Sequence, residues 1–447
     1  MELRGSMKTK KPFIFVLTLI CLLSSLCFVG CFGNKEVVKG NSLSYVKIEV
    51  AGEKGYQVTG LGSNREKQIT IPDTFEGLPV LKIASQAFYR RTHITSVVLG
   101  NNVREIEDFA FYGCSSLESV TFSKKLESVG EGAFSKCENL GEALLPQTVK
   151  SIGSFAFSNC EKLVRVTLPE GLNQIKDSTF SGCKNLQVVN IPASVKEIGG
   201  YAFYNCALLE DITLPSSLQT LANFAFSRCA IYQITIPATV RAIGEAVFSE
   251  CHQLEGISFE EGIALSYIPA FFARECSALL EVQIPASVLS VQEQAFYKCK
   301  KLGALTLPSE LESLGECAFY GCENLLSLEI PVKVKEIPYS CFAYCSKLQT
   351  VALPEELQKI GDYAFYYCAK LVNVNIPSAV SEIGCSSFAY CSVLPSINIP
   401  ASVTKIGSYA FTACKKLTIN VETDSAPLGF AEEWNYSNCP INWNYSN

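Results

Sequence analysis

The chain has 447 residues, 48% of them hydrophobic, so it is long enough to bury a large core. Its formal net charge is −6, and because the first thirty residues contribute +3, the remainder carries −9. This acidic body excludes a general basic surface for nucleic acids or other polyanions. The chain has only 2 histidines, so metal sites or catalysis that depend on several imidazole groups are not expected.

The N-terminal residues have the layout of an export signal. Three lysines within residues 8–11 precede an apolar run over residues 13–30, and Gly30 stands directly before Cys31. This arrangement resembles a bacterial lipobox, in which the cysteine is acylated and becomes the new N-terminus. The resemblance implies an export signal over residues 1–30, lipidation of Cys31, and attachment to an outer membrane or cell surface.

Two alternatives to lipidation remain open from these residues. The run over residues 13–30 is just long enough to span a bilayer as an uncleaved anchor. Plain secretion is the other alternative. Phe28 stands where lipoboxes usually have leucine, and this departure concerns the cleavage site and not export. The following residues 31–44 are polar and lack apolar periodicity, so we interpret them as a tether.

From residue 69 onward the chain repeats a unit of 23 residues. The shared pattern is (I/L)-P-x-x-(V/L)-x-x-I-G-x-x-A-F-x-x-C-x-x-L-x-x-V-x, as in residues 145–167 and 168–190. A fixed period of this length indicates a solenoid, whose stacked units bury a core that one unit cannot bury alone. The segment before the proline predicts a short β-strand, and V-x-x-I-G-x-x-A-F predicts a helical or 3₁₀ turn.

One slot of the unit holds a cysteine in fourteen consecutive units, which we term the cysteine column. The unit before the column ends at Arg91, so the pattern predicts about fifteen units. The aromatic slot is phenylalanine in fourteen of the fifteen units and slips to Ala273 in the remaining one. The column consists of Cys114, Cys137, Cys160, Cys183, Cys206, Cys229, Cys251, Cys276, Cys299, Cys322, Cys345, Cys368, Cys391 and Cys414.

These units resemble the 23-residue leucine-rich repeats of BspA-like and treponemal surface proteins. The resemblance implies an α/β solenoid: a right-handed curved stack of coils with short parallel strands on the concave face and short helical or 3₁₀ turns opposite. It also implies an N-terminal β-rich cap over residues 45–80, a solenoid over residues 81–417 and a C-terminal cap over residues 418–447. Members of this family are exported or surface proteins implicated in adhesion.

The cysteine column is interpreted as structural. The slot lies against the predicted core, and free cysteine behaves there as a small hydrophobe with a weak S–H donor. Disulfides between stacked coils are the alternative, although parallel side chains point past each other. The residues show neither a CxxC pair nor a clustered set of zinc ligands, so we expect no metal or redox site.

Tyrosines form a second column. Tyr344, Tyr367 and Tyr390 directly precede the column cysteine in three consecutive units, and tyrosine is favoured at protein interfaces. Side chains lying flat across the turn are the alternative interpretation. We therefore name these three residues as the candidate partner-binding site.

The functional prediction is a lipid-anchored surface protein that mediates protein–protein binding or adhesion, to host matrix or to other bacterial surface components. The alternative is a periplasm-facing structural or scaffold lipoprotein of the cell envelope. The sequence contains no HExxH, GxSxG, P-loop or GxGxxG motif, so we expect neither an enzyme nor a cofactor, and no nucleic-acid partner.

Overall fold

The computed structural model describes residues 37–39, 42–62 and 65–445. Over these residues the chain forms a stack of coils, and nearly every coil contributes two short strands to two parallel ladders, each of which is divided into several sheets. Strands of one ladder pair one repeat apart, as Ser128 with Ser151. The predicted parallel solenoid is therefore confirmed, whereas the export signal and Cys31 lie outside the described residues.

An antiparallel arrangement closes the N-terminal end. Strand β1 (Val37–Lys39) pairs with β2 (Leu43–Val50), which pairs in turn with β3 (Glu53–Leu61). Strand β5 (Thr74–Phe75) pairs antiparallel with the first strand of one ladder. Because β1 lies within the segment 31–44 that the sequence indicates as a tether, part of that segment belongs to the cap.

The first ladder consists of the strands that precede the proline. Within β13, Arg165 and Thr167 are exposed and Val166 is buried, which is the alternation of a strand with one face in the core. The strands of this ladder are β4 (Gln68–Thr70), β7 (Ser96–Val98), β9 (Ser119–Thr121), β11 (Glu142–Leu144), β13 (Arg165–Thr167), β15 (Val188–Val189), β18 (Gln233–Ile236), β20 (Gly256–Phe259), β22 (Glu281–Gln283), β24 (Ala304–Thr306), β26 (Ser327–Glu329), β28 (Thr350–Ala352), β30 (Asn373–Val374), β32 (Ser396–Ile399), β34 (Thr418–Val421) and β36 (Ile441–Trp443).

The second ladder was not expected from the sequence. It is built mostly of two-residue strands that end on the isoleucine of the motif, such as Ile152, which is buried. Its strands are β6 (Leu78–Ile83), β8 (Glu105–Ile106), β10 (Ser128–Val129), β12 (Ser151–Ile152), β14 (Gln174–Ile175), β16 (Glu197–Ile198), β17 (Thr220–Leu221), β19 (Ala242–Ile243), β21 (Tyr267–Ile268), β23 (Ser290–Val291), β25 (Ser313–Leu314), β27 (Glu336–Ile337), β29 (Lys359–Ile360), β31 (Glu382–Ile383), β33 (Lys405–Ile406) and β35 (Gly429–Phe430).

The prediction of a helical or 3₁₀ turn in each unit is wrong, because the described residues contain no helix. Each turn contains two left-handed residues, such as Phe155 with φ 57° and Asn159 with φ 56°, whereas a helix needs consecutive negative φ angles. The amide of Phe157 donates to the carbonyl of Thr179 in the next coil at 2.9 Å. Alternate amides of the turn thus pair between coils and not along a helix.

The core is one continuous cluster that runs through the stack. Its most regular feature is a ladder of phenylalanine rings, in which Phe157 lies 5.4 Å from Phe134 and 5.7 Å from Phe180 between ring centroids. The interplanar angles of these two contacts are 7° and 9°, so the rings are stacked. This ladder ties each coil to its neighbours and holds the surface turns in register.

In the unit with Ala273 in the aromatic slot, the preceding residue in sequence supplies the aromatic ring. Phe272 is fully buried and its ring contacts Phe248 at 5.5 Å and Phe296 at 6.1 Å. Both contacts are edge-on, at 83° and 79°, because the ring enters the ladder from the adjacent slot. The ring ladder therefore continues through this irregular unit.

The segment 418–447, predicted as a C-terminal cap, continues both ladders in its described part. Strand β34 pairs with β36, and β33 pairs with β35. Trp434 is 8% exposed, and its ring lies edge-on to Phe411 at 6.1 Å. The indole of Trp434 thus covers Phe411, which is the last ring of the phenylalanine ladder.

Candidate functional site

Every member of the cysteine column is buried and makes the same hydrogen bond. The Sγ–H group donates to the carbonyl of the aromatic-slot residue in the preceding coil, at 3.0–3.4 Å. For example, Cys183 donates to the carbonyl of Phe157, which also accepts the amide of Cys160 at 3.2 Å. One carbonyl thus uses both lone pairs, and the thiol links two coils.

The sequence-predicted tyrosines lie together on the surface of the turns. Tyr344, Tyr367 and Tyr390 are 37%, 43% and 40% exposed. The ring centroids of Tyr344 and Tyr367 are 5.4 Å apart, and those of Tyr367 and Tyr390 are 5.8 Å apart. All three residues adopt left-handed φ angles of 59° to 64°, which is unfavourable for a bulky side chain. The rings lean against each other across coils.

Five further tyrosines extend this cluster, and none of them belongs to the candidate site named from the sequence. Tyr297 contacts Tyr320 at 4.8 Å, and Tyr320 contacts Tyr344 at 5.1 Å. We define the tyrosine ridge as the eight residues joined by such ring contacts: Tyr297, Tyr320, Tyr339, Tyr344, Tyr363, Tyr366, Tyr367 and Tyr390. The sequence contained a signal for these further tyrosines, because they occupy other slots of the same turns.

Burial raises the pKa of three phenols of the ridge. Burial, followed by the neighbouring Tyr344 and Tyr390 phenols, raises the pKa of Tyr366 to about 12. Burial also raises the pKa of Tyr320 and of Tyr339. These three phenols therefore stay uncharged at neutral pH, and their hydroxyl groups both donate and accept hydrogen bonds.

Tyrosines elsewhere on the turns have a different environment. A cation lies over the ring in the N-terminal coils: Arg90 over Tyr89 at 5.4 Å and Lys136 over Tyr112 at 5.5 Å from the ring centroid. In the coils of Tyr344, Tyr367 and Tyr390, the slot that supplies this cation holds the tyrosine itself. The contrast is one of extent, because Tyr89 and Tyr112 also stack at 5.0 Å and Tyr297 of the ridge also lies under a cation, whereas the ridge joins eight tyrosines without a break.

Comparison with known families identifies the repeats. Six copies of the BspA type leucine rich repeat region match the chain, over residues 81–209, 179–303 and 290–418. The chain belongs to the BspA-type leucine-rich repeat family. The resemblance stated from the repeat pattern is therefore confirmed, and the matched ranges include every coil of the tyrosine ridge.

Two solved structures share this BspA-type fold along most of their length. A leucine-rich repeat protein from Bacteroides ovatus is 26% identical, with a TM-score of 0.57, covering 91% of this chain and 99% of that one. A leucine rich cell surface protein from Faecalibacterium prausnitzii is 27% identical, with a TM-score of 0.51, covering 93% and 100%. A search of curated proteins gives no match.

The described part of this BspA-type chain holds no group of three or more His, Cys, Asp or Glu residues arranged to bind a metal ion. His252 contacts the carbonyl of Glu275 through Nδ1 at 2.9 Å. Within the same described ranges, no helix is long and apolar enough to cross a bilayer.

We expect the thiols of this BspA-type protein to be unreactive until it unfolds. The described residues include eighteen free cysteines, of which sixteen are buried and two, Cys317 and Cys385, are half-buried. Burial raises the pKa of Cys183 to about 12, so almost no thiolate is present at pH 8. Titration with a thiol reagent should detect Cys317 and Cys385 first, and the buried thiols in denaturant without reductant. A requirement for reductant would show disulfides instead.

Proposed function

We propose that this protein is a lipid-anchored cell-surface protein that binds another protein through the tyrosine ridge. The observation that carries the proposal is the ridge itself: eight tyrosines in continuous ring contact, of which Tyr339, Tyr344, Tyr367 and Tyr390 are exposed. Tyrosine provides a large contact area with little loss of side-chain entropy, and clusters of it are enriched in binding hot spots.

The family supports a binding role, because leucine-rich repeat proteins generally act through protein–protein contacts. The similar chain from Faecalibacterium prausnitzii is named a cell surface protein. For this chain, the basic and apolar N-terminal residues followed by Gly30 and Cys31 support export and lipidation. The partner we propose is a component of host matrix or of another bacterial surface, and the role is adhesion.

The binding proposal is tested by replacing three tyrosines together. We expect Tyr344→Ser, Tyr367→Ser and Tyr390→Ser to weaken binding to matrix proteins and to intact partner bacteria at least about tenfold, because hot-spot residues each contribute roughly 2 kcal/mol or more. Binding is measured with the purified full chain, and circular dichroism verifies that the fold is retained.

The matched control places the same substitutions on the N-terminal coils, at Tyr89, Tyr112 and Tyr204. These rings also lie on the turns, but each is covered by a cation. Binding should be unchanged in this control. Equal binding by both triple variants and the unaltered protein would rule out the ridge as the adhesive surface.

The location is tested on intact cells. Mild protease should remove the protein from the surface, and Cys31→Ser should release it from the membrane fraction. Full protection from protease would favour the alternative of a periplasm-facing scaffold lipoprotein. Retention of the Cys31→Ser variant in the membrane would contradict lipidation at this cysteine.

A further inference from the structure

Exposed lysines lie beside the tyrosine ridge in three of its coils. Lys301, Lys347 and Lys370 are exposed and occupy one slot, two residues after the column cysteine of their units. We term these three residues the lysine row. Among the described residues, no carboxylate lies within ion-pair distance of the row, and the amine of Lys347 instead donates to Asn324 at 2.8 Å.

The lysine row lies beside the tyrosine ridge because both belong to the same tight turns. Tyr344 and Lys347 are three residues apart, as are Tyr367 and Lys370, so their Cα atoms are separated by at most about 11 Å. The amide of Ser346 donates to the carbonyl of Tyr344 at 2.8 Å, which shows that the chain reverses between them. Long lysine side chains therefore reach the edge of the ridge.

The rings of the ridge pack on one another in two ways. Two pairs are stacked, Tyr297 with Tyr320 at 14° and Tyr344 with Tyr367 at 27°, and the other contacts are tilted or edge-on. The phenol hydroxyls of the exposed rings donate hydrogen bonds. Hydroxyls and ammonium groups both favour an anion.

Acidic residues precede the turns that carry the ridge, whereas the lysine row follows them. Glu293, Glu316 and Asp362 each stand six residues before the column cysteine of their units, and the lysines stand two residues after it. Negative groups of a partner are therefore favoured beside the lysine row and disfavoured beside these acids. In a chain whose body is otherwise acidic, this row is a local positive feature.

We infer that the tyrosine ridge and the lysine row together bind an acidic protein segment, whose carboxylates pair with the lysines and accept hydrogen bonds from the phenols. This inference rests on the proposed binding function and specifies the chemistry of its partner. Sugars and nucleic-acid bases bind aromatic residues by stacking on open ring faces, and the stacked pairs of the ridge already cover one face of each of their rings. A peptide carrying aspartate and glutamate needs no open face.

The test measures binding of a short glutamate-rich, fluorescein-labelled peptide to the full chain in detergent, by anisotropy. Binding should weaken as salt rises, and replacing every glutamate by glutamine should abolish it. The triple variant Lys301→Glu, Lys347→Glu and Lys370→Glu should bind the peptide about tenfold more weakly, because three favourable pairs become repulsive.

The control variant carries the same charge change on N-terminal coils: Lys162→Glu, Lys184→Glu and Lys196→Glu. Lys162 occupies the slot of the lysine row but lies far from the ridge along the stack. Equal loss in both variants, binding of the glutamine peptide, or no binding by the unaltered chain would overturn the inference. Self-association of the protein, measured by sedimentation, would also overturn the inference if it were salt-sensitive and lost in the lysine-row variant. The ridge and the lysine row would then bind a second copy of this chain.

The two proposals fail separately. If the tyrosine triple variant loses matrix or bacterial binding while the lysine variant keeps it, the ridge remains the binding surface and only the acidic partner is wrong. If neither variant changes that binding, the proposed function itself fails at this surface.

Discussion

Phe157→Ala is expected to lower the free energy of unfolding by about 3–5 kcal/mol, which is the usual cost of removing a buried phenyl ring. Phe157 is fully buried and stacks on Phe134 and Phe180. The cavity left behind opens both of its interfaces with neighbouring coils. Because solenoid stability depends on nearest-neighbour contacts, the loss should split the denaturation curve into two steps.

The measurement is chemical denaturation followed by circular dichroism, with hydrogen exchange to locate the weakened coils. Phe155→Ala is the matched control, since it makes the same change two residues away, where the side chain is only half-buried and φ is 57°. We expect this control to lose less than about 1 kcal/mol. Similar losses in the two variants would show that the ring ladder does not dominate coil stacking.

Gly153→Ala is expected to lower the free energy of unfolding by about 1–3 kcal/mol through overpacking. An added Cβ would lie 2.4 Å from the amide nitrogen of Glu131 and 2.5 Å from the carbonyl carbon of Gly130. These are backbone atoms of the preceding coil, and the amide of Gly153 itself donates to the carbonyl of Val129 at 2.8 Å. The coils must therefore move apart locally to admit the methyl group.

Gly171→Ala is the control for this experiment, because an added Cβ there meets no atom within 4 Å. It should leave stability unchanged or raise it by up to about 1 kcal/mol, through reduced freedom of the unfolded chain. Lys176 occupies the slot of Gly153 in the next coil and Ala222 occupies it three coils later, so some coils accommodate a Cβ at this point. If Gly153→Ala and Gly171→Ala have the same free energy of unfolding, the coil of Gly153 also accommodates the methyl group without loss of stability, and the prediction is wrong.

The repeat period was sufficient to predict the parallel solenoid and the family. A unit of 23 residues places the same residue types at the same point of every coil, and stacking is the arrangement that buries them. The helical turn was predicted wrongly for a physical reason. Apolar spacing is the same for a helix and for a chain of tight turns, and the choice depends on amide bonds to the next coil, such as Phe157 to Thr179.

The tyrosine ridge was likewise predicted partly from the repeat pattern and was decided partly by how the coils pack. Tyr344, Tyr367 and Tyr390 share one slot, so the sequence alone aligned them. Tyr320 and Tyr339 occupy other slots and join the cluster only because consecutive coils lie one strand spacing apart. Periodicity thus determined which residues face the core and which face solvent, whereas contacts between different slots were decided by how one coil packs on the next.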